Sequence, residues 1–311
     1  MKQLNLILNA GLILALAAAA SPNLFAQSAA ETLQQKVALP QQVPPPVPTV
    51  TKNEDLGTVG VVQKFPVPDM FTVSTTQQYF HTNNVFYSQG GKVSSSAYLG
   101  TYTGSYVPYS LVNWTPKITL QYNMARYGNA APGDFNNENV AFSSQYVFTE
   151  DRAWSWTSAV DLSRFTAAHA SGGVFYKEVV YDNQISHVNA IGANNNLFLV
   201  EAYDLTYHQA SPSVFDRLDN TLSLSLSYYP CHQICIGPYV RPAARTYVTN
   251  TATQNGRDDF NLSEGLDVTY QPCKYVDLSA DLTNANDFSN TAGVSYNVFA
   301  PGISVTGTIK F

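Results

Sequence analysis

The feature that most narrows the choice of fold is a period-two alternation of apolar and polar residues that begins near Phe71 and recurs to the C-terminus. Leu222, Leu224, Leu226 and Tyr228 interleave with Ser223, Ser225 and Ser227. Ile118, Leu120, Tyr122 and Met124 alternate with Lys117, Thr119, Gln121 and Asn123, and Val276, Leu278, Ala280 and Leu282 with Asp277, Ser279, Asp281 and Thr283. Successive side chains of a strand point to opposite faces, so each such segment has one apolar and one polar face. No helical periodicity competes. Beyond the N-terminus, no apolar run reaches the roughly 20 residues that a membrane-crossing helix needs.

Composition decides what the apolar face meets. Charged residues make up 12% of the chain, about half the usual share for a soluble domain. Low charge with abundant Tyr, Ser, Thr and Asn suits a closed sheet with hydrocarbon outside and polar side chains inside. The formal net charge is −6, and Lys and Arg form no cluster. Nucleic acid is therefore excluded as a partner, since neutralising phosphates requires grouped cations.

The N-terminus reads as an export signal over 1–26. Lys2 precedes a short apolar core, Ile7 to Leu16, and a run of alanines to Ala20. Cleavage after Ala20 or Ala26 fits the small residues there, and a retained anchor helix is disfavoured because the apolar stretch is short. Residues 27–60, with Gln34-Gln35, Gln41-Gln42 and Pro44-Pro45-Pro46, read as a Pro/Gln-rich periplasmic linker, with a partner-binding arm as the alternative. The region 61–311 is expected to form one domain.

Turn signals divide that domain unevenly. Short ones fall at 113–117, 149–152, 192–196, 230–233 and 271–274, and longer polar ones at 127–138, 166–173, 210–217 and 249–258. Short turns on one side and long loops on the other are the asymmetry of an all-β, antiparallel, up-and-down transmembrane barrel. The expectation is about twelve strands with both termini periplasmic. They fall near 71–87, 95–108, 117–127, 139–148, 154–165, 178–190, 197–208, 219–229, 234–248, 260–270, 275–284 and 303–311, with 290–298 assigned to the last outer loop. Trp114, Phe148, Trp154, Tyr228, Tyr270 and Tyr275 would form one interfacial girdle, and Tyr127, Tyr207 and Tyr247 the other.

Two resemblances follow. Ile303, Val305, Gly307, Ile309 and Phe311 alternate with Ser304, Thr306, Thr308 and Lys310, and Phe311 is terminal. This resembles the terminal β-signal of outer-membrane barrels, which implies a Gram-negative cell outer membrane and recognition by the barrel-assembly machinery through Ile309 and Phe311. Outer-membrane lipids and lipopolysaccharide would surround the wall. The stretch Tyr79-Phe80-His81-Thr82-Asn83-Asn84-Val85-Phe86 resembles the Thr-Asp-Asn-Val-Phe segment of putative β-barrel porin 2-type proteins. That resemblance implies a porin-like barrel without specifying a solute.

Phasing the strands by their apolar faces places Lys117, Asp161, Asp204, Arg241, Arg245, Asp267, Asp277, Asp281 and Lys310 toward the lumen. Opposed basic and acidic groups would set a transverse field across a water-filled path for small polar solutes. Alternatively they pair and fill a non-conducting barrel that acts through its loops or the Pro-rich arm. Cys231, Cys235 and Cys273 are candidates for one disulfide in an oxidising compartment. Zinc is disfavoured because Cys231, His232 and Cys235 lack a second ligand pair. No nucleophile–base signature surrounds Ser186, His187 or His169, so neither an enzyme nor a cofactor is expected.

Overall fold

The computed structural model describes residues 29–33, 69–111, 113–148, 153–169, 173–191, 196–249 and 255–311. The expected export signal, and the linker apart from residues 29–33, lie outside these. Twelve antiparallel strands close into one barrel in sequence order, each pairing with its chain neighbours, and β1 with β12. They are β1 (Phe71–Thr82), β2 (Ser95–Tyr106), β3 (Trp114–Tyr127), β4 (Phe135–Val147), β5 (Trp154–Ala167) and β6 (Val174–Ile191). The second half comprises β7 (Leu197–Ser211), β8 (Arg217–Cys231), β9 (Ile234–Tyr247), β10 (Asp258–Cys273), β11 (Val276–Ser289) and β12 (Tyr296–Lys310). Closure leaves no edge on this barrel unpaired.

Register and burial agree on which face points inward. Thr76, Gln78 and Phe80 of β1 pair with Thr101, Leu99 and Ala97 of β2, and this inward set continues into Asn123 and Ala125 of β3. Phe80 is 3% exposed, whereas its outward neighbour Tyr79 is 56% exposed. Outward Leu120, Phe142, Leu162, Ile185, Leu222, Leu282 and Ile303 form an apolar belt around the wall.

Both ends of the strand set meet at the end carrying the short turns, here the turn end. Phe311 donates its N–H to the Phe71 carbonyl at 2.9 Å, and Phe71 returns the bond at 3.3 Å. The opposite, loop end carries the two longest connections, 83–94 and 248–257. Outward Phe148, Trp154, Tyr228, Tyr270 and Tyr275 ring the turn end as expected. At the loop end, however, Tyr127 and Tyr247 are buried on the inward face, and only Tyr207 of that expected trio is exposed. Strand parity decides this: both tyrosines share register faces with the lumen residues Ala97 and Arg217.

The last strand is longer than expected. It starts at Tyr296 rather than near 303, so much of 290–298 is strand and not loop. Pro301 and Gly302 look like breakers in sequence. Pro301 pairs with Leu282 of β11, but the β1 ladder has already ended at Gly302, so its missing N–H breaks no bond to that side. Gly302 is required by contact, because a Cβ there would stand 2.6 Å from the Asp281 carboxylate.

One seam is weaker. Pro238 and Pro242 lie within β9. The β8–β9 ladder runs through Thr221–Ala243, Leu224–Val240, Ser225–Tyr239 and Tyr228–Ile236 but skips the positions opposite both prolines. A proline supplies no N–H to a ladder, and here there is no edge on which to hide it.

Candidate functional site

The loop end of the lumen is filled by side chains from nearly the whole ring. Phe80, Leu99, Tyr127, Phe135, Phe165, Tyr176, Phe215 and Val298 form one buried apolar cluster. Ala29 belongs to it, because residues 29–33 form a helical turn inside the barrel. The Thr32 hydroxyl bonds Tyr127 at 3.1 Å and donates to Tyr87 at 3.4 Å.

Tyr87 is held for this contact by the connection between β1 and β2. Asn84 is fully buried, donates to the Ser88 carbonyl at 2.8 Å and the Asn297 carbonyl at 3.2 Å, and accepts from the Ser88 N–H at 3.1 Å. Asn83 accepts the Phe299 N–H at 2.9 Å. The Asn83-Asn84-Val85-Phe86 stretch thus ties the connection to β12. Tyr87 follows with φ of 50°, a left-handed conformation that non-glycine residues adopt only when their surroundings impose it. Its ring meets Tyr296 edge-on at 5.1 Å. Burial pushes its phenol well above the usual tyrosine range, so it remains a neutral hydrogen-bonding group.

Beside the apolar cluster lies a buried charge network. Arg217 bonds both oxygens of Asp219 at 3.1 Å, and His208 bridges Glu178 at 3.2 Å and Asp219 at 3.4 Å. Arg257 donates to Asp259 at 3.0 Å and lies over the Tyr247 ring at 4.2 Å. Arg245 grips Glu31 with two nitrogens on two oxygens, at 2.7 and 3.2 Å, while Asp219 and Asp287 lie farther off at 3.7 and 3.9 Å. Such fork-to-fork pairing adds geometric specificity to charge attraction.

The nine sequence-derived lumen candidates all occupy inward register positions, but at different depths. Arg245 is buried at the loop end. Arg241 lies four residues deeper on β9, half-buried, with its guanidinium 5.6 Å from the Tyr239 ring. Asp281 is buried and accepts from Gln78 at 2.9 Å. Asp267 is its register partner. Asp204 accepts from Gln184 at 2.6 Å, and Asp277 from Gln271 at 2.8 Å. Asp161 is half-buried on β5, while Lys117 is exposed near the turn end and Lys310 lies 3.8 Å from Asp69 there.

The acids Asp267, Asp277 and Asp281 therefore lie toward the turn end, and the carboxylates around Arg245 are Glu31, Asp219 and Asp287. Sequence reasoning missed these. Asp219 and Arg217 share the inward parity of Ser223, Ser225 and Ser227, and continuing that alternation through the strand end would have found them. Glu31 carries no comparable signal.

Ile309 and Phe311 are exposed at the closing seam. Cys231, Cys235 and Cys273 all stand at the turn end as free thiols. Cys231 pairs with Ile234, Cys235 with Thr269 and Cys273 with Val276, so the register sets no two of them directly opposite each other.

No family model and no curated protein matches the sequence. Among solved structures, the chain is similar to the COG4313 outer membrane channel from Pseudomonas putida F1, at 13% identity and a TM-score of 0.52, over 81% of this chain and 99% of that one. It is also similar to the KdgM porin in complex with disordered oligogalacturonate, at 9% identity and a TM-score of 0.43, over 75% and 98%. The NanC porin gives 8% identity and a TM-score of 0.44, over 76% and 98%. Identities this low speak to the fold alone. By fold the chain is an outer-membrane-type β-barrel of twelve antiparallel strands.

Proposed function

We propose that the protein is an outer-membrane channel for small polar solutes, with both termini periplasmic and the loop end facing outward. The supporting observation is the run of inward ionisable side chains, Lys117, Asp161, Asp204, Asp267, Asp277, Asp281 and Arg241, below the filled loop end. Stranding that many charges in a merely packed interior costs more than apolar filling would. Lining a wet path, they select and orient ions. The alternative, a non-conducting barrel acting through its outer loops, is favoured by the aromatic cluster and the inserted residues 29–33.

Planar-bilayer current from the full chain separates the two. Arg241→Glu should move the reversal potential toward cation selectivity, because one positive charge is replaced by a negative one near Asp204 and Asp267. Arg245 is unsuitable for this change, since a glutamate there would confront Glu31, Asp219 and Asp287. A folded barrel that never conducts supports the alternative. An unchanged reversal potential in a conducting barrel removes Arg241 from the path. The same preparations, fractionated, should place the protein with outer membranes, surrounded by lipid and lipopolysaccharide and inserted by the assembly machinery through its last strand.

A further inference from the structure

Glu31 differs from the other carboxylates around Arg245 in belonging to no strand of the wall. Asp219 and Asp287 are fixed on β8 and β11. Neither comes as close to the Arg245 nitrogens as Glu31, which among the described residues meets the guanidinium with both oxygens. We propose that Arg245 is a recognition site for the carboxylate of a small solute, and that Glu31 occupies it as a tethered stand-in. The assignment rests on the lumen being a path for solutes.

The surroundings suit such a guest. A cavity of about 50 Å³ adjoins the pair and is lined by Thr221, Tyr239, Arg241, Asn261, Ser263 and Thr283. It admits a few water molecules, and departure of the Glu31 side chain enlarges it by the volume of a short carboxylic acid. Hydroxyl and amide groups along the lining would hydrate or bond the guest, and Arg241 adds a second positive charge to that lining.

Residues 29–33 lie in none of the twelve strands, so withdrawing Glu31 leaves every ladder of the wall paired. Its withdrawal gives up the Thr32 bonds to Tyr87 and Tyr127 and the burial of Ala29, and Arg245 then presents the same two nitrogens to a solute carboxylate.

The test uses acetate and its uncharged counterpart acetamide as probes of the refolded full chain in detergent, with binding read by saturation-transfer NMR. Removing the stand-in by Glu31→Ala should tighten acetate binding on the order of 10-fold. Adding Arg245→Lys, which keeps the charge but loses the two-pronged geometry, should reverse most of that gain. Acetamide should bind none of the three. If Glu31→Ala does not fold, deletion of 27–33 removes the same carboxylate without touching a strand. Equal acetate affinity with and without Glu31, indifference to Arg245→Lys, or acetamide binding as well as acetate would each overturn the proposal. Because binding is read instead of current, acetate capture by a barrel that passes no ions refutes the channel reading alone. Conduction without Arg245-dependent acetate binding refutes this one alone.

Discussion

Tyr239 on β9 and Gly265 on β10 are register partners, and the tyrosine ring fills the space that a side chain on Gly265 would need. A Cβ at 265 would lie 2.6 Å from the ring's Cζ and hydroxyl and 2.3 Å from the Leu282 carbonyl. Gly265→Ala should therefore displace Tyr239 from its 3.1 Å bond to Thr283. Overpacking of this kind costs about 1–3 kcal/mol, readable as a lower urea midpoint of the refolded barrel. Gly104→Ala meets nothing within 4 Å and should be neutral. If the two variants unfold alike, the contact has no energetic weight.

Asn84 offers a second measurable quantity. Truncating it to alanine leaves the Ser88 N–H and the carbonyls of Ser88 and Asn297 without their side-chain partner. Lost buried hydrogen bonds cost about 1–3 kcal/mol where a group stays unsatisfied. The connection 83–94 should also become a preferred protease site, because Asn84 is what fastens it. Unaltered stability together with unaltered cleavage would show that the fastening lies elsewhere.

The two termini should differ in their importance for assembly. Removing Phe311 takes away the backbone pair with Phe71 that finishes the β1–β12 closure. Deleting 31–56 removes the Glu31–Arg245 pair but no residue of β1 to β12. The first deletion should lower the fraction of heat-modifiable, folded barrel in outer membranes more than the second. Equal fractions would contradict a role for the terminal residue in insertion.

The wall was legible in sequence because an apolar outer face and a polar inner face impose a period-two code on every strand. Leu222 to Tyr228 display that code without interruption, and β8 lies where they indicate. Strand ends were harder. Phe135 to Glu138 and Tyr296 to Gly302 carry asparagine, proline and glycine that favour loops locally, and pairing with neighbours already in place overrides that preference. The same boundary error hid Arg217, whereas Asp219 stood at the first position of the expected strand and was simply not phased with Ser223, Ser225 and Ser227. The Glu31–Arg245 contact was beyond reach for a different reason: it joins residues 214 positions apart, and neither lies in a pattern that refers to the other.

The prolines of β9 give the barrel an uneven rhythm of breathing. At each of them one backbone donor is missing across β8 and β9, whereas the β10–β11 ladder is continuous from Asp259 to Tyr270. Transient opening should thus begin along β8–β9, and amide protons there should trade with deuterium sooner than those of β10–β11. Pro242→Val returns a donor to the seam and should slow that trade, since each regained bond adds about 1 kcal/mol of local protection. The barrel is closed all the way round, yet its wall is not equally tight at every point of the circumference.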